Sequence, residues 1–114
     1  MSYPTDFHTM AQSIRADQIR AFGDDPAAVL IQTLVLNEEA GEVARLAAKE
    51  RQGIRPESRG EWEHELGDVL LVTFGLAAMH GLDPESLVRD AAHRLRLRAD
   101  KAVKTRADAP PPTT

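Results

Sequence analysis

Hydrophobic residues along this chain recur at helical spacing, and polar punctuation divides them into four segments. Over about residues 6–22, Phe7, Met10, Ala11, Ile14 and Phe22 fall roughly on one face, and Gly23 is placed to end the helix. The stretch "DDPAAV" opens a second helix, with Asp25 expected as N-cap and Pro26 at the first helical position. That helix is expected to reach about Arg51, with Gly53 as its C-terminal glycine. After the loop "RQGIRPES", Ser58 and Glu61 have the spacing of a capping box and start a third helix ending near His80 and Gly81. "LDPESL" repeats the Asp–Pro device, so Asp83 is expected to cap a fourth helix reaching about Arg106. No stretch alternates apolar and polar residues for long, so no strand is expected. The reading is an all-α fold, a single domain over residues 1–106 followed by a disordered proline-rich tail, 107–114.

Composition narrows this picture. With 114 residues the chain suits one modest core, and five aromatic residues leave that core to Leu, Val, Ile and Ala. The absence of cysteine excludes disulfides and thiolate metal sites, so any metal must be held by oxygen or imidazole. The longest nearly unbroken apolar run, residues 69–79, is too short to span a bilayer. "MSYPTDFHTM" lacks a basic region followed by an apolar stretch, so it does not read as a secretory signal. A soluble, cytoplasmic protein with no membrane partner is expected. The net charge of −4 argues against a nucleic-acid polymer as partner. Seven of the 14 Lys and Arg residues fall in residues 89–106, whereas Glu38, Glu39, Glu42, Glu61, Glu63, Glu65 and Asp68 concentrate negative charge mid-chain.

Two stretches in that acidic middle rhyme: "EAGE", ending at Glu42, and "ELGD", ending at Asp68. At about 100° per residue, Glu38, Glu39 and Glu42 share one arc of the second helix with Ile31, Val35 and Leu46. Glu65 and Asp68 align in the same way with Val69, Val72, Leu76 and Met79 on the third. The acids therefore interrupt the apolar stripes instead of occupying the polar faces. In an antiparallel hairpin, Glu42 comes opposite Glu65 and Glu39 opposite Asp68, to within about one helical turn, roughly 5 Å. Taken alone, Glu38, Glu39 and Glu42 read as an ordinary solvated face. Two facing sets of carboxylates in a partly dry space require a cation, and Arg45 and Lys49 reach no further than the edge of the arc. Hard oxygen ligands suit Mg²⁺ or Mn²⁺. Gly41 and Gly67 each weaken their helix by about 1 kcal/mol relative to Ala, which suggests close backbone approach or room for a ligand.

The segments "LVLNEEAGEVARLA" and "EHELGDVLLVTFGLAAMHGLD" resemble the MazG-like nucleoside triphosphate pyrophosphohydrolases, over about residues 28–98. That family's signature is EExxE, a spacer and ExxD, matched here by Glu38, Glu39, Glu42, Glu65 and Asp68. The resemblance implies an all-helical, Mg²⁺-dependent enzyme that cleaves nucleoside triphosphates between the α and β phosphates. It also implies a homodimer or homotetramer whose paired helices complete a bundle. Carried over, Glu39, Glu42, Glu65 and Asp68 bind metal, and Glu38 holds a further ion or deprotonates the attacking water. The family's Asn-x-Lys step on the fourth helix is replaced by Ala92 and Arg94 within "DAAHRLRLR", with Arg98 following, so Arg94 and Arg98 become the candidate phosphate contacts. Trp62, one turn before Glu65, is a candidate to stack on the base. His8 and Gln12 share a face of the first helix and offer a base-edge contact, set against an ordinary polar surface. His64, His80 and His93 receive no role. Two other classes fit parts of the pattern. A di-iron bundle uses Glu-x-x-His on two helices, met by Glu61 and His64 but only by Asp90 and His93 elsewhere. A non-catalytic nucleotide- or metal-binding scaffold would keep the fold without turnover.

Overall fold

A computed structural model describes residues 5–53 and 59–112 of the chain. Among the described residues there are four helices and no strand: α1 Phe7–Phe22, α2 Ala28–Arg51, α3 Arg59–Met79 and α4 Pro84–Asp108. The all-α reading holds. The chain divides into two units, Met1–Pro84 and Glu85–Thr114. In the first, α3 packs against both α1 and α2. The second carries α4 beyond its first residue.

Local chemistry explains the helix ends. Asp6 accepts a hydrogen bond from the Thr9 N–H at 2.8 Å, which starts α1 and also holds the Asp6 carboxyl below its ordinary pKa. At the other end, Gly23 adopts a φ of +83° while its N–H donates to the Ile19 carbonyl, a backbone that a side chain would strain. The expected start of α2 needs correction. Asp25 does not cap the helix: its carboxylate accepts from the Ala27 N–H at 2.7 Å and its carbonyl from the Ala28 N–H at 2.9 Å. Those bonds close a turn across Pro26 and Ala27, so the helix begins at Ala28. Ser58 of the expected capping box lies outside the described residues, and Glu61 sits in the first turn of α3. Pro84 opens α4 as expected, but the helix runs on to Asp108 and takes two residues assigned to the tail.

The buried core of the first unit is small: Ala11 and Ile14 from α1, Leu46 from α2, and Val72 and Ala77 from α3. Phe7 and Phe74 meet edge-on with centroids 5.6 Å apart. Beside them, a Cβ placed on Gly75 would come 2.6 Å from the Gln18 amide oxygen, so α1 approaches α3 closely there. Phe22, expected in the stripe of α1, is 79 % exposed. It rims an open space of about 340 Å³ shared with Gln18, Ala28 and Ile31. Leu30 and Leu34 on α2 and Leu70 on α3 are also exposed. Among the described residues, no single helix is long and apolar enough to cross a membrane.

Candidate functional site

The antiparallel pairing of α2 with α3 brings Glu39 beside Glu65 and Asp68, and one carboxylate oxygen from each lies within 4.8 Å of the others. Glu39 comes from the middle of α2, and Glu65 and Asp68 project together from α3 because they are three residues apart. All three are half-buried. Two oxygens on one octahedral Mg²⁺ at about 2.1 Å lie roughly 3.0 Å apart in cis and 4.2 Å in trans. Three carboxylate oxygens gathered within 4.8 Å of one another are hard donors of the kind that suits a divalent cation such as Mg²⁺. The three ligands that converge among the described residues are all carboxylates.

Electrostatics agree with the geometry. Partial burial, followed by the charges of Asp68, Glu65, Glu38 and Glu42, pushes the Glu39 carboxyl above its ordinary value. Neither Glu39 nor Glu65 forms an ion pair among the described residues. Glu42 does: its carboxylate accepts from Arg45 at 2.7 Å, one turn along the same helix. Glu42 also lines an open pocket of about 280 Å³ with Glu65, so it borders the cluster without joining the triad. Glu38 is exposed and acts on Glu39 through its charge.

The remaining candidates are placed less centrally. Trp62 is part-buried, and its indole N–H donates to the Glu50 carboxylate at 2.9 Å, tying the start of α3 to the end of α2. Arg94 and Arg98 are exposed on α4, in the second unit. His8 and Gln12 lie 3.3 Å apart on an exposed face of α1. Gly41 and Gly67 do not mark a close approach within the protomer, because a Cβ on either would meet nothing within 4 Å.

Two side chains, one beside the cluster and one holding Trp62, have no part in the enzymatic expectation. The His64 Nε2 lies 3.3 Å from the Asp68 carboxylate, a contact that the i,i+4 spacing could have suggested. Glu50, which fixes Trp62, carries no local signal, since the pair bridges two helices.

No curated protein and no solved structure matches the chain. A family model does: that of the MazG nucleotide pyrophosphohydrolase domain, over residues 29–103. The matched region contains both acidic steps and spans more than half of the sequence. It points to a hydrolase of the nucleotide pyrophosphohydrolase type, with nucleotides as substrates. An all-helical chain with Glu39, Glu65 and Asp68 converging inside that region belongs to the MazG nucleotide pyrophosphohydrolase family.

Proposed function

We propose that this protein is a Mg²⁺-dependent nucleoside triphosphate pyrophosphohydrolase, with Mn²⁺ as an alternative ion. It cleaves (d)NTP between the α and β phosphates to (d)NMP and pyrophosphate, and it clears unwanted or non-standard nucleotides in the cytoplasm. The observation that carries this reading is the convergence of Glu39, Glu65 and Asp68 from two helices of a MazG-family chain.

In this reading Glu39, Glu65 and Asp68 hold the metal, and Glu42 joins them when it leaves Arg45. Bound divalent ions supply neutralisation of the triphosphate and lower the pKa of attacking water. Glu38, exposed beside Glu39, accepts the proton of that water. His64 restrains the Asp68 carboxylate from one side. Arg94 and Arg98 contact phosphates, and Trp62, oriented through Glu50, stacks on the base.

The working assembly is a homodimer or homotetramer. Leu30 and Leu34 are 62 % and 60 % exposed, and Gly41 falls on the same face of α2. Such a stripe is suited to a helix from a second copy. On α4, Val88 and Leu95 are seven residues apart and each 61 % exposed, which adds a second apolar face.

The test is a panel of nucleoside triphosphates with Mg²⁺, scored for pyrophosphate against orthophosphate. Pyrophosphate release from at least one nucleotide is expected. Orthophosphate alone, or no product from any nucleotide, would overturn the reading.

A further inference from the structure

The pocket beside the acidic triad has a feature that metal binding does not use. Its walls are Glu42, Arg45, Leu46 and Lys49 from α2, with Glu61 and Glu65 from α3. Glu65 belongs to both the pocket and the triad, so the two are continuous. Residues 42, 45, 46 and 49 share one face of α2. Leu46 is buried and anchors that face, and Arg45 and Lys49, four residues apart, lie together to one side of it. Lys49 is half-buried and makes no ion pair among the described residues. Arg45 is engaged by Glu42 at 2.7 Å.

We propose that Arg45 and Lys49 form an oligophosphate subsite that becomes competent only when the neighbouring carboxylates bind a divalent cation. The anion's identity rests on the nucleotide pyrophosphohydrolase reading. The charge balance supplies the conditionality. Without metal, Glu42 and Glu65 set two carboxylates against the two cations of the wall, and Glu42 occupies Arg45, so little net positive charge is left for an anion. Once Glu42 and Glu65 are committed to divalent ions, Arg45 loses its partner. The wall then presents Arg45 and Lys49 with neither of those two carboxylates to neutralise them. Guanidinium and ammonium groups beside the metal suit the non-transferred phosphates or the departing pyrophosphate. The pocket thus assigns the terminal-phosphate end of the substrate to the α2–α3 face, at residues that the MazG signature does not include.

Inorganic pyrophosphate, titrated calorimetrically into the full-length protein, tests this, and Mn²⁺ binding is followed separately by electron paramagnetic resonance. The wild type is expected to bind pyrophosphate with Mn²⁺ and not without it. Lys49→Met, which keeps the apolar stem, is expected to weaken pyrophosphate binding by roughly tenfold. Mn²⁺ affinity in the same variant should be unchanged or tighter, because a nearby positive charge has been removed. Lys49→Arg should restore the anion, and Arg45→Met should show the same opposed pair of effects as Lys49→Met. Equal pyrophosphate binding in Lys49→Met and wild type, or parallel loss of Mn²⁺ and pyrophosphate, overturns the proposal. So does a wild type that binds Mn²⁺ but no pyrophosphate, which leaves the metal-dependent reading standing. A wild type that binds no Mn²⁺ overturns both.

Discussion

The two ends of α3 solve opposite problems. Toward its C-terminus, Val72, Gly75 and Ala77 are buried, and α1 comes close enough for the Gln18 amide to occupy the space a Gly75 side chain would need. Toward its N-terminus, Glu65 and Asp68 face Glu39 of α2, with one carboxylate oxygen of each within 4.8 Å of the others. One end gains free energy by removing apolar surface from water. The other holds like charges together in partial burial, which raises the Glu39 pKa and leaves a deficit that a divalent cation can offset. The same helix is thus a structural element at one end and a ligand platform at the other. The two ends should respond to mutation in different currencies.

The largest separation is expected from the acidic end. Glu39→Gln or Asp68→Asn should reduce Mg²⁺-dependent turnover about 100-fold or more, at or beyond the upper range for losing a supporting metal contact. Circular dichroism should show unchanged helicity, and Glu39→Gln should melt no lower than wild type without metal. At the packed end, Ile14→Ala should cost about 2–4 kcal/mol of stability in urea denaturation. Any turnover lost should follow the unfolded fraction. Gly67→Ala should raise helix stability by about 0.5–1 kcal/mol, since nothing among the described residues lies within 4 Å of the new methyl. Gly75→Ala should gain less, because Gln18 must first move.

The smallest expected effect is that of pH. Glu39 is an acid whose folded-state pKa is raised above the ordinary 4.5. The folded state therefore binds more protons than the unfolded one just above that value. Its contribution favours folding at lower pH, and stability falls as pH rises from about 4.5 through the folded-state value. Metal-free melting temperatures across that range should show the decline for wild type. Glu39→Gln should flatten it, and Mg²⁺ should stabilise more at neutral than at acid pH.

Much of this was legible in the residues because it rests on local periodicity. Helix α3 and most of α1, α2 and α4 follow from apolar spacing, and the facing of Glu39 with Glu65 and Asp68 follows from hairpin register. What escaped depends on competition or distance. Asp25 had a choice between capping a helix and closing a turn, and the turn won. The exposure of Phe22 depends on what lies across from it, which no one-dimensional pattern records. The bond from Trp62 to Glu50 joins residues 12 apart on different helices, beyond the reach of any helical-spacing argument. The glycines show the same limit. Of the two roles expected for Gly41 and Gly67, open space around both agrees with room beside the acids, whereas the tight contact is at Gly75, against the Gln18 side chain.

The central claim is that Glu39, Glu65 and Asp68 together bind a divalent cation. Mn²⁺ titration of the full-length protein, followed by electron paramagnetic resonance, measures that directly. Saturable binding by the wild type, weakened at least about tenfold in each of Glu39→Gln, Glu65→Gln and Asp68→Asn, is the predicted result. Wild-type affinity retained in all three variants would contradict the account.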